Sequence, residues 1–331
     1  MARFPFGFPD GWFPVAYSDE LAAADVRRLR YFDRELVLFR GEDGKAVLLD
    51  AYCPHLGAHL GVGGRVDGSH LVCPFHGWHF DASGSCVEIP GAAQIPSGAQ
   101  TRSWPLVERN GIVLAWHHGE RRAPDCEVPV FPEWSAADWT TSYVRRSWIV
   151  RTHPQEVLEN SVDWEHFQTV HGMPAPQDRH EVFEGNTFRW VVGRGRTSRP
   201  RSASREEDCL VDSLHLGLGF GWLRYNGMYR TIVASGVTPI DREMVEIRLG
   251  VFGRRDGRSD AATQEGLEAY IEGQASAMEQ DLSIWESKCY HTRPVLGDAD
   301  STIVAFRRWA SQLYSGPEAA PGAVGREARN A

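Results

Sequence analysis

Lysine is nearly missing from this sequence. Lys45 and Lys288 are the only two among 35 basic residues, so arginine carries the positive charge. Against 44 acidic residues the formal charge is −9, and no concentrated basic patch of the kind a nucleic-acid footprint requires is present. Arg199, Arg201 and Arg205 cluster locally, but Glu206, Glu207 and Asp208 follow directly, which reads as a solvated loop. Long apolar runs are also absent: none approaches the roughly 20 residues of a spanning helix, so no membrane span is expected. The opening Met-Ala-Arg-Phe-Pro-Phe-Gly-Phe-Pro has aromatics but neither an apolar h-region nor a cleavage signature. Six cysteines in 331 residues are too few for a disulfide scaffold, and a reducing, cytoplasmic setting is expected.

What is present is an ordinary globular composition, 42% hydrophobic and 24% charged, in a chain long enough for two domains. Glu35 to Phe39 and Ala46 to Asp50 are β-type apolar runs flanking Gly-Glu-Asp-Gly-Lys, a hairpin signal, and Gly111 to Trp116 reads as a closing strand. Prolines and aromatics from about Pro124 to Trp139 predict an irregular connector. They divide the chain into an all-β domain over 1–125 and an α+β domain over 126–315, with a loose tail over 316–331. In the second domain a helix-like stretch covers Pro154 to His171. Strands are predicted over Thr187 to Val192, Met228 to Val237 and Glu243 to Phe252, and a long helix over Gln264 to Ser287. That helix has Leu267, Ile271, Met278, Leu282 and Trp285 on one face and Glu268, Glu272, Glu279 and Glu286 on the other.

Two short pairs carry the first chemistry: Cys53-Pro-His55 and Cys73-Pro-Phe-His76, on glycine-rich loops after β-type runs. Two thiolates and two imidazoles suit either tetrahedral zinc or a mixed-ligand [2Fe–2S] cluster. In the cluster each loop must supply one ligand of each kind, which this spacing does. His59, His70 and His79 read as surface or packing residues, and Cys86, Cys126, Cys209 and Cys289 as buried free thiols. Cys53-Pro-His-Leu-Gly-Ala58 and Cys73-Pro-Phe-His-Gly-Trp78 resemble the two cluster loops of Rieske iron–sulfur domains. The resemblance implies that Cys53, His55, Cys73 and His76 bind the cluster. Ala58, Phe75 and Trp78 stand where high-potential relatives carry extra cysteines and a serine, which implies a lower potential.

The second constellation is Glu159-Asn-Ser-Val-Asp163-Trp-Glu-His166-Phe-Gln-Thr-Val-His171. On a regular helix His166 and His171 lie about 140° apart, so a π-bulge or an unwound last turn is needed to bring both rings to one side. A 2-His-1-carboxylate iron site needs a third ligand. Asp281, within the inward stripe of the long helix, is the candidate, since a lone carboxylate there is costly to bury without a partner or metal. The block resembles the Asn-x-x-Asp-x-x-His-x-x-x-x-His signature of Rieske non-heme iron oxygenase α subunits. That family places its iron in a helix-grip (START-like) α+β domain. The resemblance implies mononuclear Fe(II) on His166, His171 and Asp281, a bridge through Asp163 to a Rieske histidine of a neighbouring subunit, a place near the iron for Asn160, and a homotrimer. Glu165 reads as a solvated helix residue.

Asp50 to Ala58, Gly61 to Val66, Gln280 to Lys288 and Arg307-Arg-Trp309 resemble the branch with 3-ketosteroid 9α-hydroxylase and the cholesterol 7-desaturases. The expected activity is O2-dependent hydroxylation or desaturation of a large apolar, steroid- or sterol-like substrate. Electrons are expected from NAD(P)H through a separate reductase or ferredoxin. Trp190, Phe220, Trp222, Tyr225 and Tyr229 are candidate pocket aromatics, at least half of them expected in core or interface. Competing readings are a tailoring oxygenase for a non-steroid natural product, a Rieske electron carrier with a non-catalytic binding domain, and a zinc-stapled lipid-binding module.

Overall fold

The computed structural model describes residues 3–176, 178–193, 209–227 and 230–316. The charged stretch at 199–208, Met228, Tyr229, the side chain of Cys209 and the tail after 316 lie outside them. The N-terminal strands are β1 (Gly11–Tyr17), β2 (Val26–Tyr31), β3 (Arg34–Arg40), β4 (Ala46–Asp50), β5 (Arg65–Asp67), β6 (His70–Val72), β7 (His79–Phe80), β8 (Cys86–Glu88), β9 (Ser103–Trp104), β10 (Leu106–Arg109) and β11 (Ile112–His117). They pair in three sheets, ordered β1-β11-β10, β2-β3-β4-β9 and β5-β6-β7-β8. The β3–β4 hairpin is apolar at every central position because both of its faces are covered. Leu36, Leu38 and Leu48 pack with Trp104 and Val113, whereas Val37, Phe39 and Leu49 pack with Cys53 and Cys73. One hairpin thus joins the core to the cysteine loops.

The C-terminal part contains β12 (Val144–Val150), α1 (Pro154–Glu159), α2 (His166–Val170), β13 (Arg179–Glu184), β14 (Thr187–Gly193), β15 (Cys209–Leu216), β16 (Phe220–Asn226), β17 (Arg230–Pro239), β18 (Val245–Gly253), α3 (Asp260–Ser287) and α4 (Ser301–Ala310). Seven strands form one antiparallel sheet ordered β12-β18-β17-β16-β15-β14-β13. Cross-strand partners share a face, so Phe188, His215, Gly221, Ser235 and Leu249 look the same way. On this side α3 packs through Leu267 and Ile271 onto Val233, Leu249 and Val251. The opposite face buries Phe220, Trp222, Ile232 and Phe252 against Trp12, Ile112, Leu114 and Trp116. Each such side chain contributes about 1.5–3 kcal/mol. Phe220 and Trp222 therefore join the two halves of the chain and do not line a pocket on the α3 side.

Three expectations need correction. The stretch Pro154 to His171 is two short helices, not one. After Glu159 the N–H groups of Ser161 and Val162 reach back only three residues, to Leu158 and Glu159 O, and the winding tightens and stops. The long helix starts at Asp260, four residues before Gln264, because Ser259 caps it: its Oγ accepts the Ala262 N–H at 3.2 Å. Cys289 is exposed, not buried, while Cys86 is buried and Cys126 half-buried. Among the described residues no helix is long and apolar enough to cross a membrane.

Candidate metal centres

The two cysteine loops share one backbone design. Cys53 N–H donates to Ala58 O and Gly57 N–H to Cys53 O; Cys73 N–H donates to Trp78 O and Gly77 N–H to Cys73 O. Gly57 and Gly77 turn each loop at φ +75° and +67°, conformations that favour glycine. The result places both sulfurs inward, each cysteine 3% exposed, and both histidines outward. The His55 and His76 rings lie 4.6 Å apart, and Trp78 stacks on His55 at 4.6 Å. Burial pushes the Cys53 thiol up to about 11, with the neighbouring Cys73 adding to the shift against a backbone hydrogen bond at His55. Two adjacent buried thiols that form no disulfide, beside two imidazoles, match the mixed donor set of a [2Fe–2S] cluster.

The other histidines nearby have separate partners. His59 accepts the Gly61 N–H on Nδ1 at 3.0 Å and has Glu35 3.4 Å from Nε2, so both nitrogens are engaged. His79 Nδ1 lies 3.9 Å from Glu88. Cys86 donates its S–H to Glu88 O at 3.4 Å.

In the C-terminal part His166, His171 and Asp281 converge, with one donor atom from each within 4.8 Å of the others. His166 opens α2, and His171 follows its last turn with φ −100° and ψ −7°. His171 N–H still bonds Phe167 O, four residues back, at 3.1 Å, so the expected π-bulge or unwound turn is not found between the two histidines; their rings lie 5.1 Å apart. His171 Nδ1 faces Gln280 Oε1 at 2.9 Å, which leaves Nε2 aimed at Asp281 Oδ2, 3.6 Å away. His166 Nδ1 bonds the Asp163 carbonyl, and the Asp163 carboxylate sits 3.8 Å from the same atom. Burial would lower the His166 pKa, but Asp163 outweighs it and holds the ring above its ordinary value. The hydrogen bond from His166 in turn lowers Asp163.

Asp281 is 7% exposed, which settles its place in the inward stripe of α3. Burial raises its carboxyl pKa against the pull of His171, His166 and the Asn160 amide. Asn160 also accepts the Trp285 indole N–H at 3.3 Å and thereby ties the end of α1 to α3. Beneath the site Arg307 of α4 makes two bonds to the Glu159 carboxylate, at 2.6 and 2.7 Å, and Lys288 pairs with Glu156 at 2.5 Å. Glu165 is exposed, as expected. Gln280 and Glu159 are supports that the sequence did not single out. Their neighbours Asp281 and Asn160 carried the signal, and nothing local marks a glutamine as the partner of a histidine 109 residues away.

Comparison with known proteins bears on both sites. Residues 11–104 match the Rieske [2Fe-2S] domain and residues 115–314 the 3-ketosteroid 9alpha-hydroxylase C-terminal domain. A cholesterol 7-desaturase of Bombyx mori is 32% identical over 331 residues, covering 95% of this chain and 71% of that protein. The oxygenase component of a 3-ketosteroid-9-alpha-monooxygenase from Mycolicibacterium smegmatis is 29% identical, covering 94% of this chain and 83% of its own. Among solved structures, NdmA of Pseudomonas putida superposes with a TM-score of 0.72 at 21% identity, over 91% of this chain and 89% of that one. Apo dicamba monooxygenase gives 0.71 at 20% identity, over 93% and 97%. These two likenesses establish a shared fold.

Proposed function

Because the chain belongs to the Rieske non-heme iron oxygenases with a 3-ketosteroid 9α-hydroxylase-type C-terminal domain, we propose that it oxidises a C–H bond of a steroid- or sterol-like substrate, by hydroxylation or desaturation. Electrons come from NAD(P)H through a separate reductase or ferredoxin. The substrate class rests on what the relatives act on. The observation that carries the catalytic reading is the convergence of His166, His171 and Asp281 within 4.8 Å.

Cys53, His55, Cys73 and His76 would hold the [2Fe–2S] cluster, and His166, His171 and Asp281 a mononuclear Fe(II). When bound, the cluster supplies one-electron transfer and the iron supplies dioxygen activation at positions left open by a facial triad. The chain's own part is geometric. Gln280 holds His171 and the Asp163 carbonyl holds His166 so that each presents Nε2 inward. Asn160 donates to the Asp281 carboxylate and keeps it aimed between the two rings.

Asp163 has a side chain 35% exposed, and Tyr52, Leu56, Val62 and Phe75 leave an exposed apolar rim in the loops bearing the cluster residues. This supports a ring-shaped homotrimer in which the rim of one subunit meets Asp163 of the next. Asp163 would then join His166 to His55 or His76 of the neighbouring subunit.

Iron and acid-labile sulfide per chain test the assignment. The wild type is expected to hold about three irons and two sulfides, and Asp281→Ala about two irons with the cluster absorption intact. Two irons in both proteins would favour an electron carrier. Turnover of a steroid panel with a reductase then tests the substrate class, and oxidation of none of them removes it.

A further inference from the structure

Residues 3–10 precede both stretches that match a domain family, and they pack against the second half of the chain although they open the first. Phe4 and Phe6 are 3% and 6% exposed, in the cluster that also buries Leu158, Val162 and Trp164 around Asn160 and Asp163. The Phe6 ring lies 5.5 Å from His153, 4.7 Å from Tyr290 and 5.3 Å from Tyr314. His153 Nε2 donates to Gly7 O at 3.2 Å, and His117 Nδ1 to Pro9 O at 2.9 Å. Asp10 N–H donates to Leu313 O at 2.7 Å, beyond the end of α4. The segment is thus a strap fixed along its length. Its first described residue, Arg3, lies at the end of α3 that carries Asp281.

That end lacks partners of its own. The last carbonyls of a helix have no intrahelical donor, and the negative end of its dipole favours a cation. Helix α3 has no basic residue in its last turn, and the chain becomes extended at Lys288, with φ −71° and ψ 154°, so no helical donor remains for Trp285 O. Arg3 supplies both the donor and the charge. One of its terminal nitrogens, Nη2, donates to Trp285 O, Nε donates to Lys288 O at 2.7 Å, and Nη1 donates to Arg151 O, just past β12, at 2.9 Å. A planar fork reaches three carbonyls at once, which an ammonium does not. Asp281 stands one turn before Trp285, about 6 Å along the axis. The Trp285 indole bonds Asn160, and Asn160 bonds the Asp281 carboxylate. Fraying of this last turn therefore loosens Asp281 from its backbone side and from its amide partner together.

We propose that Arg3 is a positioning residue for the metal triad: by capping α3 from the N-terminal strap, it holds Asp281 against His166 and His171. This role rests on the triad reading above and extends it to a segment that contains no ligand.

Hydrogen exchange and ferrozine competition on the metal-loaded protein test this with Arg3→Met and Arg3→Lys. Arg3→Met keeps the stem and removes the donors. It is expected to speed exchange of the amides at 285–288 at least about tenfold and to release the triad iron at about tenfold lower ferrozine concentration. Sulfide content, cluster absorption and exchange in β17 and β18 should stay as in the wild type. Arg3→Lys should recover part of both effects, because it keeps the charge without the fork. Iron retention equal to wild type in Arg3→Met overturns the positioning role, whether or not exchange at 285–288 rises. Faster exchange throughout β17 and β18 also overturns it, because the residue would then be a general prop of the fold. A wild type that holds no third iron overturns the triad reading and this role with it.

Discussion

Gln280 decides which nitrogen of His171 is free. Its Oε1 takes the Nδ1 proton at 2.9 Å, so the ring turns Nε2 towards Asp281. Loss of such a support costs a metal site about 10–100-fold in affinity although no ligand is removed. Gln280→Ala is accordingly expected to weaken iron retention by that factor in a chelator competition, with the cluster spectrum unaltered. Retention equal to wild type would show that the ring is oriented by packing alone. At this scale the sequence was informative wherever chemistry restricts residue type. Spacing singled out Cys53, His55, Cys73, His76, His166 and His171 as candidates, and misfit on an apolar stripe singled out Asp281; the structure gathers His166, His171 and Asp281 together. Gln280 was not singled out, because an amide next to a ligand differs in no local respect from a solvated one.

Between elements, the clamp on the site is the ion pair from α1 to α4. Glu159 is 6% exposed and takes both Arg307 bonds, so the pair is largely desolvated. Removing one member strands the other: Arg307→Leu is expected to cost about 3–5 kcal/mol in urea unfolding, and the double Glu159→Leu, Arg307→Leu clearly less. A double variant no more stable than the single would rule out the stranded charge as the cause. This clamp also marks where the sequence stopped being legible. The β3–β4 hairpin was readable because both its faces are buried and its residues form a continuous apolar run. β2 and β13, Val-Arg-Arg-Leu-Arg-Tyr and Arg-His-Glu-Val-Phe-Glu, place charges on a solvated side and read as polar segments. Helix α4 is short, and its buried Phe306 and Trp309 acquire meaning only against Phe183 and Phe188, more than a hundred residues earlier. The break between α1 and α2 falls at residues 160–165, before both histidines, and their five-residue spacing gave no sign of it.

Across the whole molecule the two-part order was legible, but not the seam in which Trp12 and Trp116 meet Phe220 and Trp222, because aromatic residues that join two sheets look like aromatic residues of a pocket. The same burial has a consequence for acid stability. His117, His153 and His215 are enclosed, and desolvation lowers each of them to about 4. Each is neutral in the fold but takes up a proton near pH 6.5 once unfolded. Their contribution is therefore complete above pH 6.5 and is lost as pH falls from there towards 4, at about 1.4 kcal/mol per pH unit for each histidine. Carboxylates held low by partners, such as Glu35 and Glu108, act only below about pH 4.5, so the histidine window lies apart from theirs. His153 is the cleanest probe. It is ringed by Phe4, Phe6 and Tyr314, donates from Nε2 to Gly7 O, and caps α1 through Nδ1. Gln at this position keeps a donor and an acceptor but cannot take up a proton. His153→Gln is expected to reduce the slope of unfolding free energy against pH between 6.5 and 5 by about 1 kcal/mol per unit, measured by urea titration at several pH values. Identical slopes in the two proteins would mean that the buried imidazole already titrates within the fold.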